Sequence, residues 1–128
     1  NKAGEYIYST FLSPHQAGVA LATINIVRNA DEKRESLKLI SHWLRNELAE
    51  HINVQTNYNT PIIPIIMGDS ISTLKLQTLL LNKGIVVGAV RPPTVPCGSS
   101  RIRLSLNSEL SKEELEPLIS IFKECSKK

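Results

Sequence analysis

Hydrophobic and polar residues recur with two different periods along the chain, and the change of period separates predicted helices from predicted strands. A largely apolar stretch runs from Pro14 to about Arg28, and Ser13 before it is a natural N-cap. A second stretch, capped by Asp31 and ending near His51, has apolar residues at every third or fourth position, as in an amphipathic helix. We expect the first helix to be buried on most sides or packed against another subunit, and the second to lie at the surface.

Strands and helices alternate in the second half of the chain. The β-branched run 61–68 predicts a buried strand with Pro64 at a bulge or an edge. A third helix is predicted to start at Asp69 or Ser70 and to end at residues 83–84. The residues expected to face inwards from it are Leu74, Leu76, Leu79, Leu80 and Leu81.

Two more strands and a last helix complete the pattern. The strands are predicted over residues 85–90 and 101–106. Ser111 and Glu114 form a capping box that opens the last helix, which runs through residues 115–125. This order of elements predicts an α+β fold: a small, mostly antiparallel sheet of three or four strands with helices on one face.

Composition and charge exclude several classes of function. The net charge is only +3 and aromatic residues are 5%, too few for a nucleic-acid-binding surface that stacks bases. No apolar run approaches the length that crosses a membrane. Cys97 and Cys125 have no metal-site or disulfide-framework spacing, which fits a reducing cytoplasm, and His42 and His51 lack the partner spacing of a metal site.

The stretch 89–106, AVRPPTVPCGSSRIRLSL, has the pattern of a strand, a rigid loop and a strand. Its closely spaced prolines fix φ and remove backbone donors, so the loop is neither helix nor central strand. Arg101 and Arg103 share one face of the following strand, beside the stiff loop that bears the hydroxyl of Thr94. These groups form a candidate carboxylate receptor, because the guanidinium fork matches a carboxylate. Alternating arginines also occur on strands simply exposed to water, and the pattern leaves both interpretations open.

The same stretch resembles the C-terminal signature of the α-oxoamine synthases, pyridoxal-phosphate enzymes that condense an amino acid with an acyl thioester. Its RPPTVP form is most similar to the branch that condenses L-alanine with a pimeloyl thioester, with loss of CO2, in biotin biosynthesis. The resemblance implies that residues 1–128 are the C-terminal small domain of a fold-type I enzyme, with residues 1–30 leading in from a large domain. It further implies that Thr94 contacts the substrate and that Arg103 holds the amino-acid carboxylate, while Arg101 has a structural role.

The N-terminal stretch YIYSTFLSP, residues 6–14, is similar to a second motif of that family. There the resemblance implies that Ser9 and Thr10 reach the cofactor phosphate of the other subunit of a homodimer. Hydroxyls of this kind also commonly satisfy a loop backbone. No lysine stands in the family's lysine-bearing context, so we expect the chain to contain no catalytic residue and to be inactive alone.

Other functions are compatible with the sequence. A related branch of the family condenses glycine with acetyl-CoA, and the resemblance does not identify the acyl carrier, CoA or acyl carrier protein. A stand-alone α+β module that binds an anion through Arg103, or regulates another protein, is a hypothesis of a different class. For the enzyme we expect small-molecule substrates, an amino acid and an acyl thioester, and for none of these functions do we expect nucleic acid or a membrane as partner.

Overall fold

The computed structural model describes residues 12–126. The chain divides into two compact units, Asn1–Glu32 and Lys33–Lys128. In chain order the elements are helix α1 (Pro14–Arg28), helix α2 (Asp31–Ala49), strand β1 (Ile62–Gly68), helix α3 (Ser70–Asn82), strand β2 (Gly88–Val90), strand β3 (Ser100–Ser105) and helix α4 (Lys112–Ser126).

Helix α1 begins as its sequence predicts. Ser13 Oγ accepts a hydrogen bond from the Gln16 amide at 3.2 Å, and Gln16 Oε1 accepts one from the Ser13 amide at 3.3 Å. No residue of the helix is buried, so the prediction of a helix buried on most sides is wrong for this chain. Packing against another subunit stays a prediction. The large apolar side chains that α1 exposes are Val19, Leu21, Ile24, Ile26 and Val27.

The sheet of the second unit has the strand order β1-β3-β2, and both pairs are antiparallel. The predicted α+β fold with a small antiparallel sheet is therefore confirmed. Pro64 lies in β1, an edge strand, where the missing N–H is tolerated. The irregularity in the β1–β3 pairing lies between Ile66 and Gly68 rather than at Pro64.

The hydrophobic core lies between one face of the sheet and three helices. Alternate residues of β1 and β3 are buried, because successive side chains point to opposite faces. They pack with α2, α3 and α4 into one cluster, so the helices cover one face, as predicted. Its buried members are Ile40, Leu44, Leu48, Val54, Ile63, Ile65, Leu76, Leu80, Ile102, Leu104, Leu115, Leu118, Ile119, Ile121 and Phe122.

Helix α3 differs from its prediction in the direction its leucines face. Asp69 is the N-cap, and Lys83 the C-cap, as predicted. Leu76 and Leu80 are buried, together with Thr73, but Leu74, Leu79 and Leu81 are exposed by 38%, 41% and 56%. Residues three and four apart along a helix share a face. The row formed by Thr73, Leu76 and Leu80 is therefore buried, while the other three leucines lie outside that row.

Smaller differences concern the ends of elements. Asp31 is the first residue of α2 rather than its cap, and the helix ends at Ala49. The second predicted strand, 85–90, shortens to Gly88–Val90. Helix α4 starts at Lys112 with the expected capping box, in which the Ser111 amide donates to Glu114 Oε2 at 2.9 Å and the Glu114 amide to Ser111 Oγ at 3.3 Å.

Candidate functional site

The candidate site is the face of the sheet that the helices leave open. The strand register forms two cross-strand rows on this face, since directly paired residues point the same way. In one row Arg103 stands between Pro64 of β1 and Gly88 of β2. The next row on this face, two residues closer to the loop, places Arg101 between Ile66 and Val90. The sequence pattern therefore predicted correctly that both arginines share one face.

Arg103 lies exposed across the backbone of Gly88. A Cβ at position 88 would lie 3.4 Å from Arg103 Nε and 3.6 Å from Nη2, so the glycine leaves open space beside the guanidinium. Gly88 is not among the glycines with positive φ, and its backbone would therefore accept other residues. Among residues 12–126 no hydrogen bond or ion pair occupies the Arg103 guanidinium. Its donors are available to a ligand.

The loop that carries Thr94 is built from two tight turns. The Thr94 amide donates to the Arg91 carbonyl at 3.0 Å, and the Ser99 amide donates to the Pro96 carbonyl at 3.2 Å. The Pro92–Pro93 peptide bond is cis. Thr94 itself is exposed, as a residue that meets a ligand must be.

The other residues singled out in the sequence contribute less to this face. Ser9 and Thr10 lie outside the described residues, so their proposed contact with a phosphate stays a prediction. Cys97 and Cys125 are free thiols at the surface. Within residues 12–126 there is no cluster of histidines, cysteines and carboxylates that could hold a metal, and no helix long and apolar enough to cross a membrane.

Two features of the structure were not evident in the sequence. Gly88 beneath Arg103 is one; its only signal was a glycine within an otherwise apolar run. Arg45 of α2 is the other, because it resembles the charged residues of an exposed helix face but is only 1% exposed. Burial lowers the pKa of the Arg45 guanidinium. It binds backbone carbonyls and does not reach the open face.

The described lysines do not fit a pyridoxal-phosphate site at this face. The cofactor needs a lysine that meets its aldehyde, next to the bound amino acid. The six lysines within residues 12–126 all lie on α2, α3 or α4 or at their ends, and these helices cover the opposite face of the sheet from Arg103. They are Lys33, Lys38, Lys75, Lys83, Lys112 and Lys123.

Comparison with known proteins identifies the family. The family model "Aminotransferase class I and II" matches residues 1–122. The chain belongs to this family. Its similar curated relatives include the 8-amino-7-oxononanoate synthase of Ectopseudomonas mendocina, 40% identical over 123 residues, which are 96% of this chain and 32% of that protein. The enzyme of the same name from Lysinibacillus sphaericus is 37% identical over 127 residues, 99% of this chain and 33% of that protein.

This aminotransferase-family chain thus spans about a third of the length of the curated relatives it matches. Solved structures of longer enzymes contain the same fold. Sphingomonas wittichii serine palmitoyltransferase aligns with a TM-score of 0.79 and 28% identity over 91% of this chain and 30% of that one. The 8-amino-7-oxononanoate synthase of Francisella tularensis aligns with a TM-score of 0.77 and 24% identity over 98% of this chain and 37% of that one. The fold is that of the small α+β domain of fold-type I pyridoxal-phosphate enzymes.

Proposed function

We propose that the chain is the C-terminal part of a pyridoxal-phosphate-dependent acyltransferase that makes 8-amino-7-oxononanoate. The reaction joins L-alanine to the acyl group of a pimeloyl thioester, with release of CO2 and of the thiol carrier. The observation that carries the proposal is the open sheet face, where Arg103 is exposed, has no partner among the described residues and pairs with Gly88, three residues before the RPPTVP loop begins. The names of the relatives support the choice of reaction.

In this proposal Arg103 binds the carboxylate of alanine. Its planar fork donates two parallel hydrogen bonds to the two carboxylate oxygens. Such a contact fixes one end of the amino acid and so holds the bonds at its Cα in a set orientation, which lowers the entropic part of the barrier. Thr94, on the exposed loop, contacts the same substrate. The site orients the substrate and supplies none of the chemistry.

The remaining chemistry comes from outside the described residues. Bound pyridoxal phosphate supplies an electron sink for the amino acid. The described lysines lie on the helix side of the sheet, and no lysine of the sequence stands in the family's lysine-bearing context. In this proposal the lysine that meets the cofactor therefore belongs to another segment, and the 128-residue chain alone is inactive. A homodimer, in which Ser9 and Thr10 approach the other subunit's cofactor phosphate, and a cytoplasmic location complete the proposal.

A chimaera tests this proposal directly. The N-terminal part of the Ectopseudomonas mendocina relative is joined to this chain at the start of the matched segment, and purified protein is given L-alanine and pimeloyl-CoA or the pimeloyl acyl carrier protein. We expect 8-amino-7-oxononanoate and CO2 in equal amounts, and growth of a biotin-requiring bacterium that lacks its own synthase. The 128-residue chain alone is the matched negative control.

Each alternative predicts a different result. Product from glycine and acetyl-CoA, with none from alanine, would show the glycine-using reaction. A folded chimaera that binds anions but forms no product with either pair would contradict the enzyme proposal and favour the anion-binding module. Product formed by the 128-residue chain without the fused part would contradict its inactivity.

A further inference from the structure

Arg101, the neighbour of Arg103 on the open face, is bonded to the loop by its side chain. Its Nε donates a hydrogen bond to the Ser99 carbonyl at 2.9 Å. The cross-strand register places Ile66 and Val90 on either side of it, and Arg101 is half-buried while Arg103 is exposed. Two arginines that the sequence pattern could not separate therefore differ in what their side chains contact.

Ser99 is the residue that closes the second turn of the loop. Its amide and its Oγ both donate to the Pro96 carbonyl, at 3.2 Å and 2.7 Å. Within residues 12–126, Arg101 is the only side chain outside the loop 91–99 that donates a hydrogen bond into it. The described hydrogen bonds within the loop join Thr94 to Arg91 and Ser99 to Pro96, and Arg101 adds a side-chain contact at the end where the loop enters β3.

We propose that Arg101 is a positioning residue that holds the 91–99 loop, and with it Thr94, beside Arg103. This inference rests on the proposed function, in which Thr94 contacts the amino acid. In this role the donor at the ε position of Arg101 matters and its charge does not. A second carboxylate ligand would instead need the charge and the guanidinium fork.

Two variants separate the donor from the charge. Arg101→Gln removes the charge but keeps an N–H donor, because the glutamine side-chain nitrogen is as many bonds from Cα as arginine Nε. Arg101→Lys keeps the charge, but lysine has a methylene where arginine has Nε, and its nitrogen is one bond further from Cα. Arg101→Met lacks both and is the reference for complete loss. Arg103→Gln is the matched control, since it removes an arginine from the same strand face without touching the loop.

The first measurement is hydrogen exchange of the Ser99 amide in the 128-residue chain, followed by NMR. Loss of one net hydrogen bond should speed local opening by about 3- to 10-fold in Arg101→Lys and Arg101→Met. Arg101→Gln and Arg103→Gln should exchange at the parent rate. Parent-like exchange in Arg101→Lys and Arg101→Met, or fast exchange in Arg101→Gln, would overturn the proposal.

The second measurement uses the chimaera and separates positioning from mere stability. Arg101→Lys and Arg101→Met should raise the KM for alanine by about 3- to 10-fold at nearly constant kcat, and Arg101→Gln should raise it less. A smaller rise in Arg101→Lys than in Arg101→Gln would show that the charge acts, and would refute the positioning role. If the parent chimaera forms no product, the proposed function fails, while the exchange experiment still decides whether Arg101 holds the loop.

Discussion

The buried Arg45 allows a quantitative prediction about stability. Its Nη atoms donate to the carbonyls of Gln55, Thr60 and Ile62 at 2.9, 3.1 and 2.7 Å, and to the Thr60 hydroxyl at 3.1 Å. These acceptors belong to the segment that leads into β1 and to its first residue, Ile62. Arg45 therefore ties α2 to the entry of the first strand, and Arg45→Ala should loosen that entry.

The expected loss of stability in Arg45→Ala depends on which backbone carbonyls keep a hydrogen-bond donor. Thr60 O still accepts from Ser41 Oγ at 2.7 Å, and Ile62 O from Thr60 Oγ1 at 3.1 Å. Of the three carbonyls, Gln55 O alone is left without a donor among the described residues. Hydrogen bonds to a charged group contribute about 1.5–3 kcal/mol each, but desolvation of the guanidinium offsets part of this gain. With the cavity included, we expect Arg45→Ala to lower the free energy of unfolding by about 3–5 kcal/mol.

Urea unfolding is the assay, read as the shift in midpoint at constant m-value. Arg45→Met fills much of the cavity and should recover about 1–2 kcal/mol of the loss. Arg103→Ala is the matched control, because it truncates an exposed arginine and should change stability by less than about 0.5 kcal/mol. A loss below about 1 kcal/mol in Arg45→Ala would refute the view that this residue anchors the strand.

Two further predictions concern α3. Leu80→Ala, at a fully buried position, should lower the free energy of unfolding by about 2–5 kcal/mol in the same assay. Leu81→Ala, at a position 56% exposed, should lower it by less than about 0.5 kcal/mol. Equal losses would contradict the packing of this helix. Asp69 Oδ1 accepts the Ser72 amide at 2.8 Å, which holds the pKa of the Asp69 carboxyl below its ordinary 3.8. The carboxylate therefore stabilises the fold above that pH, and the parent should lose stability relative to Asp69→Asn as the pH falls below 3.8. Parallel pH profiles of the two proteins would contradict this prediction.

The sequence was sufficient where one local rule decided the structure. Ser13, Asp69 and Ser111 cap helices as predicted, since each can accept a backbone N–H at a helix start. The alternation in β3 buried Ile102 and exposed Arg103, because one face of the sheet is covered.

The sequence was insufficient where tertiary packing made the choice. Helix α3 is apolar nearly all round, so no period in its sequence selects the row at Thr73, Leu76 and Leu80 that meets the sheet. The charge of Arg45 predicts exposure, and its burial is explained only by the backbone carbonyls of Gln55, Thr60 and Ile62, which accept its hydrogen bonds. Likewise, the difference between Arg101 and Arg103 lies in a contact with the Ser99 carbonyl that no side-chain pattern encodes.

The kinetics of Arg103 variants in the chimaera test the central claim most directly, with alanine varied at saturating pimeloyl thioester. Loss of a charge-assisted pair predicts that Arg103→Ala lowers kcat/KM for alanine by about two to three decades, equivalent to about 2–4 kcal/mol. Arg103→Lys should recover little, because an ammonium cannot replace the bidentate fork, and the KM for the thioester should not change. An Arg103→Ala variant with the alanine kinetics of the parent would contradict the account.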